Sequence, residues 1–195
     1  VSKHPPKQLV FFASQRFYVA AWLCFFGLRN ASNLLNAQEA RSEIRPPFNL
    51  TWGETSDRLE RLVVAAGGKV TARKMVRGNK EAMEVEGLPQ DGLHKTIFYC
   101  KQGALVGAEL QYRSESWPEE KYNSVMADLR RRISENFGQG EQIARKTEQV
   151  GTIGVTQTIT GYRWSVASAS LQLIFFAATD PKNVYRTVSV HYSAF

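Results

Sequence analysis

Cysteine is nearly missing from this chain of 195 residues, with Cys24 and Cys100 the only two. Two cysteines cannot build a disulfide framework. Cys24 falls inside an apolar run near the amino terminus, and in Thr96-Ile-Phe-Tyr-Cys100 the second shares a strand face with Phe98. That placement predicts a buried, unreactive thiol. Histidine is almost as scarce, and only His94 and His191 lie outside the amino-terminal segment. There is no HxxxH, CxxC or acidic calcium-loop pattern, so the familiar metal sites are excluded. The nucleophile-elbow pattern Gly-x-Ser-x-Gly is also missing, and neither Gly138-Gln-Gly140 nor Gly151-Thr-Ile-Gly154 has the flanks of a phosphate loop. The expectation is no cofactor, no metal, and binding in preference to catalysis.

Excess charge is lacking too, once the net +7 is divided along the chain. Of 25 basic residues, Lys3, Lys7, Arg16 and Arg29 lie in residues 1–37, where there is no acidic residue, leaving 21 basic against 18 acidic residues elsewhere. So balanced a remainder gives little reason to expect nucleic acid as a partner.

The one long apolar run, Phe17 to Leu28, follows a basic start and leads to Leu35-Asn36-Ala37, which has the layout of an export signal cleaved after Ala37. As a helix the run covers about 18 Å at 1.5 Å per residue, short of a hydrocarbon core of about 30 Å. Extending it over residues 9–28 buries Arg16, at about 3 kcal/mol. Residues 1–37 are therefore read as a signal peptide, with a retained inner-membrane anchor as the alternative favoured by Arg29. Membrane contact is expected only through this segment, if it is uncleaved. The polar residues 38–47, ending in Arg45-Pro46-Pro47, read as a linker, and residues 48–195 as a single domain, periplasmic or extracellular.

Within that domain Phe48 to Gly53 reads as a short strand. Leu59, Leu62, Val63 and Ala66 then fall at helical spacing behind Thr55 or Ser56 as a cap, and Gly67-Gly68 ends the helix. Strand periods follow over 69–77, 81–86, 95–101 and 104–113, the last two joined by a tight Gln102-Gly103 hairpin. A second helix opens at Ser116, whose spacing to Glu119 suits a capping box, with Tyr122, Val125, Met126, Leu129 and Ile133 as its apolar stripe. The tail reads as strands over 143–150, 152–160, 162–168, 170–178 and 184–193. Helices set apart from runs of strands predict an α+β domain, an antiparallel sheet with two main helices packed on one face. Trp52 and Trp117 each precede a helix and then strands, as a degenerate repeat would leave them, although nothing else aligns between the halves.

The stretch Leu50-Thr-Trp-Gly-Glu-Thr-Ser-Asp-Arg-Leu resembles the opening of small exported bacterial α+β domains of unknown function, in which a hydrophobic-x-Trp-Gly stop precedes a capped helix. The resemblance implies an envelope location and a helix-on-sheet fold. It brings no catalytic residues.

Candidate interaction residues are few. Phe175 and Phe176 are adjacent on a strand and so face opposite sides of the sheet, which takes one of them out of the main core. Arg130 and Arg131 could grip an acidic envelope component or lie along the flanks of their own helix. The expected partner is another envelope protein, a cell-envelope component or a second copy of the chain. The alternative is a small-ligand carrier or enzyme using scattered residues such as His94, Glu84, Glu86 and His191, each of which also reads as a plain surface side chain.

Overall fold

The strand periods become one eight-stranded antiparallel sheet in a computed structural model that describes residues 43–150 and 154–195. The signal or anchor reading of residues 1–37, and residues 38–42 of the linker, lie outside the described part. Among the described residues no helix is long and apolar enough to cross a membrane.

In chain order the elements are α1 (Ser56–Ala65), β1 (Lys69–Val76), β2 (Lys80–Glu86), β3 (Leu93–Lys101), β4 (Ala104–Tyr112), α2 (Glu119–Phe137), β5 (Glu141–Val150), β6 (Val155–Val166), β7 (Ala169–Thr179) and β8 (Val184–Ala194). The fold is thus α+β with an antiparallel sheet of order β1-β2-β3-β4-β8-β7-β6-β5. Each half is a helix followed by a four-strand meander, and the halves join through β4 and β8.

Register shows the repeat that the tryptophans only hinted at. From Ala72 the ladder partners run through Glu84 and Ile97 to Glu109, and from Ala144 through Gly161 and Ile174 to Ser189. Glu109 then pairs with His191, and Ser189 with Gln111, so a local two-fold axis passes between the paired Leu110 and Val190. Both outermost strands also carry a bulge at matching places, between Val70 and Ala72 and between Gln142 and Ala144. Each bulge leads into the same Ala-Arg-Lys sequence, at 72–74 and 144–146.

Two clusters of buried side chains form the core. Leu59 and Val63 of α1 meet Met83, Val85, Phe98 and Leu105 in one. Tyr122 and Ile133 of α2 meet Trp164, Leu171, Leu173 and Val188 in the other. Cys100 is buried in the first cluster, as its spacing from Phe98 predicts, and burial pushes its thiol pKa up.

Four local expectations are corrected. Residues 48–53 form a bend instead of a strand, because Phe48 and Asn49 take left-handed backbone at φ 63° and 57°. Ile44, inside the segment read as a linker, is fully buried, and its carbonyl accepts from Trp52 Nε1 at 3.0 Å. No capping box opens α2: the N-cap is Pro118 with no side-chain bond, and the Ser116 hydroxyl lies 2.8 Å from that of Ser114. The two strands expected on either side of Gly161 are one continuous β6. That glycine is no turn: a Cβ there would sit 3.2 Å from Ile143 Cγ1, so the residue lets the bulged β5 approach.

Candidate functional site

The left-handed pair Phe48-Asn49 turns the chain back over α1 and hangs the Phe48 ring beside Phe98, with centroids 6.3 Å apart in an edge-to-face arrangement. Such backbone costs about 1 kcal/mol or more per residue and persists only where surrounding contacts hold it. Thr55 caps α1 by accepting from Arg58 N, fixing the helix so that Leu59 and Val63 point down into the core. Leu62, expected in the apolar stripe, is instead 41% exposed. It lines the mouth of a cavity of about 460 Å³ that lies between α1, the bend at 48–51 and the Leu88-Pro89 loop.

The walls of this cavity are largely apolar, made by Phe48, Leu50, Val63, Leu88 and Phe98, with Asn49, Thr51, Glu54 and Arg58 as the polar part. Glu54 is fully engaged, pairing with Arg58 Nε at 2.7 Å and accepting from Thr51 Oγ1 at 3.0 Å. The polar part is therefore neutral in sum. A volume near 460 Å³ with apolar walls and a few fixed polar groups suits a small apolar or amphipathic ligand.

Helix length accounts for the opening. Helix α1 has 10 residues and α2 has 19, or about 15 Å against about 28 Å of cover. In the second half Leu129 and Phe137 of α2 pack on the core, and Trp164 Nε1 donates to Gly138 O at 2.9 Å beyond the helix end. The first half has no such extension, and the bend at 48–51 covers Phe98 in its place, leaving the cavity between bend and helix.

A second group of polar side chains sits at the local two-fold axis, on the sheet face opposite Leu110 and Val190. Glu109 accepts from Tyr99 Oη at 2.9 Å and from Gln111 Nε2 at 2.7 Å. His191 Nε2 lies 2.8 Å from Ser189 Oγ, and its Nδ1 lies 3.6 Å from Glu109 Oε2. Burial pulls the His191 pKa below its ordinary value, while Glu109 acts in the opposite direction. Serine, histidine and carboxylate in a row invite comparison with a hydrolytic triad. Ser189, however, is buried in mid-sheet, where backbone N–H groups are committed to the ladders with β4 and β7, so no oxyanion hole can form around it.

Apart from Glu84 and Glu86, which share Lys95, the residues singled out from sequence do not come together. His94 is exposed at the register shift in β3 and has no side-chain partner among the described residues. Glu84 accepts from Lys74 and, at 2.8 Å, from Lys95, while Glu86 stands 3.9 Å from the same lysine. Phe175 packs against the second core cluster and Phe176 turns to the other face, where it meets Tyr185 at 6.2 Å. The Arg130 guanidinium lies 3.9 Å over the Tyr162 ring and donates to its hydroxyl, and Arg131 pairs with Asp128 and Glu135. Among the described residues no group of three His, Cys, Asp or Glu side chains could hold a metal.

Sequence reading missed both the cavity and Glu109. The cavity depends on two non-glycine residues in left-handed backbone, which no motif announces. Glu109 had a signal: its alternation with Leu110 sets it on the polar face, but its partners come from β3 and β8. Compared with known proteins, the chain matches no family model, no curated protein and no solved structure.

Proposed function

We propose that the chain is an exported, non-enzymatic binding module whose ligand site is the cavity beside α1. The carrying observation is that cavity of about 460 Å³, apolar-walled and with its one carboxylate paired with Arg58 and accepting from Thr51. Its occupant is a small apolar molecule, or an apolar group presented by an envelope component. Both helices lie on one face of the sheet in this reading. In support, Ala108, Leu110 and Tyr112 alternate along one face of β4; the first packs in the α1 cluster and the other two in the α2 cluster. Export rests on the basic start and apolar run of residues 1–37.

A neutral apolar fluorophore, N-phenyl-1-naphthylamine, tests the reading. Saturable enhancement is expected with the purified chain, reversed by a medium-chain fatty alcohol. Leu62→Arg places a charge at the mouth without touching the buried core and should weaken binding about tenfold. Enhancement that is absent, or equal in the variant, sinks the reading.

A further inference from the structure

A second cleft, of about 530 Å³, lies well apart in sequence from the α1 cavity and differs from it in chemistry. It is formed by the loop after β4, the entry to α2 and the β7–β8 turn. Three cations line it, Arg113, Lys182 and Arg186, against one carboxylate, Glu115. We propose that this cleft binds a phosphate group carried by an organic ligand.

Three carboxylates, Glu115, Glu119 and Asp180, stand near the three cations, so the cleft offers directed donors and not an excess of charge. Glu115 is 94% exposed and reaches Arg113 only at 4.0 Å, so solvent screens it. Asp180 is turned to the backbone, accepting from the N–H groups of Lys182 and Asn183 at 2.7 and 2.8 Å, which fixes the turn that carries Lys182. Glu119 holds Arg186 through Nη2 alone at 2.8 Å. A guanidinium has five N–H donors, so most of those on Arg186 stay available. Lys182 makes no side-chain ion pair among the described residues.

The cations are also positioned. Arg113 lies 4.5 Å over the Tyr185 ring, an arrangement that orients its planar fork. The Tyr122 hydroxyl donates to Ser114 O at 2.8 Å and pins the loop beside it. Two oriented forks and one point charge match the several oxygens of a phosphate better than the two of a lone carboxylate. Trp117 and Tyr185 stand at the walls, giving a sugar ring or glycerol backbone attached to that phosphate an aromatic surface.

The test uses the whole chain and reads Trp fluorescence and calorimetry with sn-glycerol 1-phosphate, glycerol, acetate, and vesicles of phosphatidylglycerol or phosphatidylcholine. Glycerol phosphate is expected to bind and glycerol not, with affinity falling at least tenfold in Arg113→Gln and in Lys182→Gln. Lys182 is on an exposed turn, so its variant keeps the fold even if Arg113→Gln does not. Binding to phosphatidylglycerol vesicles but not to soluble glycerol phosphate, with the same loss in the variants, identifies a lipid headgroup as the source and supports the site. Equal affinity for acetate, no binding to either phosphate form, or binding that both variants retain overturns it.

Discussion

Glu84 lies on the polar face of β2, its side chain only 12% exposed, with the ammonium groups of Lys74 and Lys95 on its two oxygens. Hydrogen bonds from Lys74 and then Lys95 hold its pKa down to about 2 from 4.5. A carboxylate depressed by folding stabilises the protein above its unfolded pKa and loses that contribution as pH falls through the folded one. Wild-type stability should therefore decline between pH 4.5 and about 2, and Glu84→Gln should flatten that limb in acid-titrated melts. Because Lys74 is largely solvated, the loss at neutral pH is about 1 kcal/mol. His191 has the opposite chemistry but the same slope. Its folded pKa lies below 6.5 through burial, so the unfolded chain takes up the proton first and stability falls as pH drops below 6.5. Circular-dichroism melts between pH 7.5 and 5 should show that decline in the wild type and a weaker one in His191→Gln. Sequence shows that Glu84 and His191 sit on polar strand faces, because alternation is local. Their partners come from neighbouring strands, so Lys74, Lys95, Ser189 and Glu109 could be assigned only once register was known.

Elements were legible where one local rule sufficed. Gln102-Gly103 makes the tight β3–β4 turn, with both residues left-handed at φ 52° and 77°. The stripe of α2 and the alternation in β4 and β8 likewise survive into the fold. Local rules misled where packing decides: Gly161 looks like a break between strands, yet it lies inside β6 to admit Ile143 of the bulged β5. Gly140 is a similar case, since a Cβ there would lie 2.5 Å from the Trp164 indole, which stacks under the end of α2. Gly140→Val forces the Trp164 ring from its place and should cost about 1–3 kcal/mol through overpacking. Urea titration should show a lower midpoint with an unchanged slope, and an unaltered midpoint would mean that the loop yields freely.

At the scale of the molecule, two copies of a helix-plus-meander unit share one sheet through β4 and β8, and they differ most in the length of their helices. That difference places the apolar cavity in the first half. In sequence the repeat shows only in the paired Ala-Arg-Lys, and register and bulge position carry the rest of it. The β4–β8 pairing was the least legible feature, since it joins strands far apart in the chain with no local signal. The same pairing makes the halves depend on one another. Ala108 of β4 belongs to the α1 cluster and Leu110 to the α2 cluster, while Trp52 and Tyr192 pack against both. Neither half can therefore lose its core without exposing part of the other's. Unfolding should be a single transition, with tryptophan fluorescence and far-ultraviolet circular dichroism giving coincident urea curves. N-phenyl-1-naphthylamine bound at the α1 cavity should then raise the midpoint of both signals together, although it touches one half. Separate midpoints, or a ligand shift in one signal alone, would show that the local two-fold axis divides two independently stable units.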